Sequence, residues 1–248
     1  MLRYIYADGR RTMCKAVVIA GMCMAMIGLV ILAKMSGIGN TGEFINKASM
    51  MIKLTPLLVG VPLMTTVFFD DFRSKVILAF IGSGNPRYKA IFSKYIEFSL
   101  LVILCSIVLY VGFTMIAIVM GIGINVMLLK GLLLMFTMET MKLIALGLIS
   151  SMLIYTVGSG VMAIAFYGIL ATGFVNVVLT QILTSEAVLK RLGNVYLLLL
   201  GNALEQMQAA VFEGNGLGIL EGLGIWSGYL VLPTIISIVI FNRQELDF

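Results

Sequence analysis

The stretch AVVIAGMCMAMIGLVILAK, residues 16–34, carries no charged side chain before Lys34 at its end. Because a transmembrane helix requires about 20 consecutive apolar residues, this stretch predicts a helix that crosses a membrane. The rest of the chain has the same character, since 60% of its residues are hydrophobic, 12% are charged and the mean hydropathy is +1.08. In soluble domains about half of the residues are hydrophobic and about a quarter are charged. The sequence therefore predicts an all-α integral membrane protein with a single transmembrane domain over residues 1–248.

Further apolar stretches on the C-terminal side bring the predicted number of transmembrane helices to six. They cover roughly residues 50–69, 96–119, 135–156, 160–182 and 224–241. The second span contains Lys53, Pro56 and Pro62, so we expect it to be kinked and its start to be shifted.

The distribution of basic residues predicts the orientation of these helices. Lys and Arg are enriched in the cytoplasmic loops of membrane proteins. With the N-terminus inside, ten of the 17 Lys and Arg fall on the cytoplasmic side: Arg3, Arg10, Arg11, Lys15, Arg73, Lys75, Arg87, Lys89, Lys94 and Arg243. We therefore expect both termini and the segment 70–95 in the cytoplasm, and the long segment 183–223 outside. The basic residues flank apolar spans, so the net charge of +5 does not indicate a nucleic-acid partner.

The external segment contains the apolar stretch 195–212, which polar residues interrupt at Asn202, Glu205, Gln206 and Gln208. Its length favours re-entrant or interfacial helices before span six. The alternative, a seventh span, would place the C-terminus outside. In the glycine-rich run 214–228 we expect a flexible break over 214–222 and close helix packing at Gly224 and Gly228.

Between spans two and three lies the charged segment DDFRSKVILAFIGSGNPRYKAIFSKY, residues 70–95, with the apolar centre VILAFI. Helical spacing places Phe72, Val76, Phe80 and, one step round, Ile77 and Ile81 on one face. The glycines at 82 and 84 would end this helix, and Asn85-Pro86 would begin the next one. The pattern fits two interpretations: a surface helix that anchors a hairpin to lipid, or a coupling helix through which a partner moves spans two and three.

An ordered set of motifs extends this reading over the whole chain. A two-span hairpin is followed by an acidic residue, a basic residue and a serine, then by an apolar helix, a small-residue break, a basic residue and a lysine at the foot of span three. The residues that match are Asp71, Arg73, Ser74, Ala79, Phe80, Gly82, Arg87 and Lys94, and the ending FNRQELDF fits the same pattern. In these features the chain resembles the type-2 permeases of ATP-binding-cassette (ABC) exporters, of the short six-span bacterial kind. It departs at Lys75-Val76, where the family commonly has Gly-Thr.

The resemblance implies a permease subunit in the plasma membrane of a bacterium. Such permeases form a dimer, of identical or different chains, around a central path. Each engages a separate ABC ATPase subunit, which binds ATP and Mg²⁺, so the permease has no cofactor and no catalytic residue of its own. This chain also lacks a G-x-x-x-x-G-K-[ST] phosphate loop. The residues that would couple to the ATPase are Asp71, Arg73, Val76, Ile77, Phe80, Ile81 and Arg87.

Charged and amide groups inside the spans are candidates for the translocation path, because such groups are costly in lipid and usually functional. Glu139 and Lys142 are three residues apart on span four and share a face, and Asn176 lies in span five. The alternative is that Glu139 and Lys142 merely neutralise each other and that Asn176 only bonds a neighbouring helix. The 18 methionines suit an adaptable lining for an amphipathic or antimicrobial peptide or a lipophilic drug, although methionine also fills space in lipid.

Two other classes of function compete with an ABC permease. An intramembrane enzyme requires paired carboxylates, a Ser/His pair or histidine ligands, and the chain contains no histidine. A secondary transporter or channel, not driven by ATP, would show inverted repeats with broken helices at matching positions, and the sequence shows none.

Overall fold

The computed structural model describes residues 12, 15–35, 40–70, 81–82, 84 and 86–243. Within these residues every regular element is a helix. The long helices are α1 (Ala16–Met35), α2 (Thr41–Phe69), α3 (Arg87–Val119), α4 (Val126–Val157) and α9 (Gly216–Arg243). The shorter ones are α5 (Gly160–Ala171), α6 (Phe174–Leu183), α7 (Glu186–Leu192), a 3₁₀ turn at Val195–Leu198 and α8 (Leu200–Glu213).

Five of the described helices, α1 to α4 and α9, are long and apolar enough to cross a membrane. Helices α5 and α6 are bent by 61° at a short break, and they supply a sixth crossing if the pair forms one broken span. The 14 residues of α8 are too few for a crossing. The described residues therefore form a multi-pass, all-helical membrane protein with five or six helices that can span the membrane.

Three predicted spans begin too late in the chain. Helix α2 starts at Thr41 rather than near residue 50, α4 at Val126 rather than 135, and α9 at Gly216 rather than 224, whereas α3 starts at Arg87, next to the helix start predicted at Asn85-Pro86. Hydropathy finds only the most apolar part of a helix, whereas capping and packing decide where the helix begins. The start of α4 illustrates this, because the side-chain oxygen of Asn125 accepts a hydrogen bond from the backbone N–H of Leu128 at 2.7 Å.

The prolines of α2 lie in an uninterrupted helix that contains π-helical turns at Pro56–Gly60 and Thr65–Phe69. A π turn accommodates an irregularity in the hydrogen-bond ladder without ending the helix. Since Pro62 has no N–H to donate to the carbonyl of Leu58, that oxygen is available to a neighbour. It lies directly against Gly21 of α1, where a Cβ atom would collide with it. The glycine thus lets α1 and α2 approach closely.

One end of the bundle, here called the proximal end, is where α1 begins, α2 ends, α3 begins and α9 ends. Lys15 forms an ion pair there with Asp70. A row of aromatic contacts crosses it from Phe68 of α2 to Tyr95 of α3, Tyr155 of α4 and Phe241 of α9, with ring centroids 6.1, 6.2 and 5.4 Å apart in turn. Aromatic side chains therefore hold α2, α3, α4 and α9 together at the proximal end.

The flexible break expected over residues 214–222 is instead a tight turn followed by the start of α9. The two helices are separated only by Gly214, whose φ of 72° favours glycine, and Asn215. Residues 216–222 are already helical, and Cβ atoms added at Gly218 and Gly222 would lie 2.8 Å from the Cβ of Ala210 and 2.7 Å from that of Met207. The run of small residues thus packs two helices together instead of forming a flexible linker.

Candidate functional site

Most of the predicted coupling residues, namely Asp71, Arg73, Val76, Ile77 and Phe80, lie outside the described residues. The two that are described flank this gap on its C-terminal side. Ile81 is partly buried and packs against the hydrophobic core. Arg87 is the first residue of α3. The amphipathic coupling helix itself stays a prediction.

Arg87 links the beginning of α3 to the end of α9. Its Nη1 donates hydrogen bonds to the backbone carbonyls of Phe241 at 2.9 Å and Asn242 at 3.3 Å. The last carbonyls of a helix have no partner within the helix and carry partial negative charge, so a guanidinium there is favourable. A displacement of the start of α3 would therefore act on α9 directly.

A cavity of about 720 Å³ lies farther along the bundle, between α2, α4, α5, α6, α8 and α9. All three residues predicted for the translocation path, Glu139, Lys142 and Asn176, line it. The 61° bend between α5 and α6 borders the cavity at Thr172 and Gly173. Gly173 has a φ of 74°, a conformation that glycine adopts without strain. The polar groups of the lining come from Ser49, Lys53, Glu139, Lys142, Thr172, Asn176, Glu205, Gln208 and Tyr229.

Glu139 and Lys142 form an ion pair of 3.0 Å on the face of α4 that borders the cavity. The side chains are 12% and 22% exposed, respectively. Pairing compensates part of the cost of holding two charges away from water. The pair is thus an internally neutral polar patch on an otherwise apolar wall.

Two further charges line the cavity, one of each sign. Lys53 of α2 and Glu205 of α8 are both exposed, and both lie within electrostatic range of the Glu139 carboxylate. Among the ion pairs of the described residues, neither Lys53 nor Glu205 takes part in one. These two side chains are therefore available to a bound molecule.

A cluster of amide and hydroxyl groups joins α6 to α8 beside the cavity. The Nδ2 of Asn176 donates to the Oδ1 of Asn202 at 3.2 Å, and the Nδ2 of Asn202 donates to the Oγ1 of Thr180 and the backbone carbonyl of Tyr196, both at 2.9 Å. Gly201 allows this approach, because an added Cβ would lie 2.6 Å from the Asn176 amide nitrogen. Asn176 thus both lines the cavity and fixes α6 against α8.

No protein family model, curated protein or solved structure matches this chain.

Gly224 and Gly228, the two glycines predicted for helix packing, are not the glycines at which α9 packs closely against another helix. No atom lies within 4 Å of a Cβ added at Gly224 or Gly228, so within the described part of the chain neither residue is at a close helix contact. Gly218 and Gly222 make those contacts instead. A role for Gly224 and Gly228 in packing against another chain stays a prediction.

Sequence reasoning missed Lys53, Glu205 and Asn202 as members of a site, because each was read only as an interruption of an apolar stretch. Their spacing contained a usable signal. Asn202, Glu205 and Gln208 recur at intervals of three residues, which places them along one side of a helix. A polar stripe of this kind on a short, otherwise apolar helix indicates a face turned towards a polar cavity.

Proposed function

We propose that this chain is the membrane-spanning permease subunit of an ABC exporter and that a separate ATPase subunit drives it through the segment 70–82. One observation carries the proposal beyond the sequence resemblance. The helix ends that flank the undescribed residues 71–80 both lie at the proximal end, and each is bonded to another helix, Asp70 to Lys15 and Arg87 to the end of α9. A force applied between them would act on four helices.

Two of these helices, α2 and α9, extend from the proximal end to the cavity. Helix α2 supplies Ser49, Ile52 and Lys53 to the lining, and α9 supplies Tyr229. Helix α9 is also bonded to α4, one of the helices around the cavity, since the indole N–H of Trp226 donates to the backbone carbonyl of Met141 at 2.8 Å. Movement of the proximal ends of α2 and α9 would therefore alter the shape of the cavity, as the transport step of a permease requires.

The proposal includes the assembly and its setting. Both termini and the segment 70–95 face the cytoplasm of a bacterium, and the segment 183–223 faces the outside of its plasma membrane. Two permease subunits, identical or different, form the path, and ATP and Mg²⁺ bind to the ATPase subunits. The substrate, an amphipathic or antimicrobial peptide or a lipophilic drug, leaves the membrane or the cell through the cavity lined by Glu139, Lys142 and Asn176.

The direct test is co-purification. The tagged chain is extracted from its native membrane in mild detergent, and bound proteins are assayed for vanadate-sensitive ATPase activity and identified by mass spectrometry. We expect an ABC ATPase to be retained and to be lost when Val76, Ile77 and Phe80 are each replaced by Asp. Leu78→Asp is the matched control, because helical spacing places it away from that face. An ATPase that stays bound to the triple variant would show that this face is not the docking element.

A second candidate is a secondary transporter or channel, and the bend between α5 and α6 is the observation that favours it. Discontinuous helices beside a polar cavity form the ion and substrate sites of many secondary transporters. Among the described residues there is one such bent pair, whereas inverted repeats would supply two at matching positions. Transport into vesicles that contain only this chain, driven by an ion gradient without ATP, would establish the second candidate instead.

A further inference from the structure

We propose that the cavity binds a single-chain zwitterionic amphiphile, with its cationic group at Glu205, its anionic group at Lys53 and its hydrocarbon chain against the methionine-rich wall of α4. This names the ligand class of the site discussed above, and only its extension to a transported substrate rests on the proposed function.

The size of the cavity limits the ligand. Its volume of about 720 Å³ falls within the range of roughly 300–1,000 Å³ that small-molecule sites occupy. A cavity of that size suits one small amphiphile rather than a folded peptide. Residues of α4 and of α6 line the cavity, and the bend at Thr172 and Gly173 lies at its edge.

The charge of the lining decides the head group. Glu139 and Lys142 neutralise each other, and Lys53 and Glu205 add one positive and one negative charge, so the four charges cancel. A ligand with a net charge would leave either Lys53 or Glu205 without an opposite charge, and an uncharged ligand would leave both without one. A zwitterion provides a partner for Lys53 and for Glu205 at once.

The rest of the lining fits a hydrocarbon chain. The apolar lining includes Met135, Met138 and Leu146 of α4 and Phe166 and Leu170 of α5. Methionine is unbranched and polarisable, so such a wall adapts to a flexible chain. The polar and apolar parts of the lining thus match the two ends of one amphiphile.

The test uses the purified full chain in nanodiscs with three photoreactive probes. The probes share one hydrocarbon chain and carry phosphocholine, trimethylammonium or phosphate as head group, and labelling of the segment 126–157 is measured by mass spectrometry. For the natural sequence we expect the phosphocholine probe to label about 1.5- to 5-fold more strongly than either probe with a net charge, the ratio that one exposed charge contact provides. Equal labelling by the three probes would overturn the proposal.

Substitutions of Lys53 and Glu205 should change which head group labels most strongly, a change that would not follow if these residues only stabilised the fold. Lys53→Gln should shift the preference towards the trimethylammonium probe, and Glu205→Gln towards the phosphate probe. The double exchange Lys53→Glu with Glu205→Lys should restore the preference for phosphocholine, which also guards against misfolding of a single variant. Lys130→Gln and Glu186→Gln are matched controls, since each removes one exposed charge that does not line the cavity.

If both single variants are labelled by the three probes in the same order of strength as the natural sequence, the roles of Lys53 and Glu205 are refuted. Because no ATPase is present in the nanodiscs, that failure would leave the co-purification result unaffected. Conversely, a chain that retains no ATPase could still show the expected labelling, so the two proposals fail separately.

Discussion

The ammonium of Lys94 and the carboxylate of Glu97 form an ion pair of 2.7 Å inside the bundle, with 1% of each side chain exposed. They lie three residues apart on α3 and share a face near the proximal end. A buried pair attracts strongly but costs much to desolvate, so its net contribution to stability is small while the loss of one partner is severe.

Lys94→Met should therefore lower the free energy of unfolding by about 3–5 kcal/mol, because it removes the cation that lies 2.7 Å from the buried Glu97 carboxylate. The double variant Lys94→Met with Glu97→Leu should recover most of that loss. Denaturant titration in mixed micelles measures both. Lys89→Met, which removes an exposed lysine five residues away, is the control. If the two single losses simply add in the double variant, the ion pair is not what couples the residues.

Composition and apolar length were sufficient to predict the class of this fold, and span one was placed within a residue. The start of α2 was missed because residues 41–55 are amphipathic rather than uniformly apolar. Phe44, Ala48 and Ile52 are buried at helical spacing, while Glu43, Lys47 and Lys53 occupy the other faces. A window that averages hydropathy over all faces cannot detect such a helix, whereas the spacing of its buried residues can.

Arg87 should matter more than the basic residues beside it. Arg87→Gln removes the charge from the last carbonyls of α9, and we expect the free energy of unfolding to fall by about 1–2 kcal/mol. Under the proposed function it should also reduce the stimulation of ATPase activity by substrate more than it reduces basal ATPase activity. Lys89→Gln is the matched control, because Lys89 is exposed and only two positions away. Equal effects of the two variants would deny Arg87 a specific role.

The hydroxyl of Tyr167 donates to the backbone carbonyl of Pro56 at 3.1 Å, over the π-helical turn of α2. Tyr167→Phe should cost about 1 kcal/mol. Gly60→Ala should cost about 1–3 kcal/mol, because the added Cβ would collide with that hydroxyl and with Leu143. Combined, they should cost less than the sum, since the first removes the hydroxyl that the added Cβ approaches most closely. Strictly additive losses in unfolding titrations would place the strain at Leu143 and at the aromatic ring, which both variants retain.

The cavity could be anticipated only in part. Glu139 and Lys142 were recognisable because charges three apart on an apolar helix are conspicuous, whereas Lys53 and Glu205 are 152 positions apart in the numbering. Nothing local in the sequence indicates that α2 and α8 approach the same side of α4. Their meeting depends on the bend after α5 and on the small residues that hold α8 against α9, and both are properties of packing between distant segments.

The glycines of α9 should separate into two classes by the sign of their response to alanine. Alanine favours a helix over glycine by about 1 kcal/mol, so Gly224→Ala, at a site with open space, should stabilise the isolated chain. Gly222→Ala should destabilise it by about 1–3 kcal/mol, because the new Cβ would lie 2.7 Å from the Cβ of Met207 and would force α8 away from α9. Unfolding titrations decide between these signs. The open class then has its own test: if Gly224 and Gly228 pack against a second chain, Gly228→Leu should lower the cross-linked dimer fraction without destabilising the single chain. A dimer fraction that does not respond would remove these glycines from any interface between subunits.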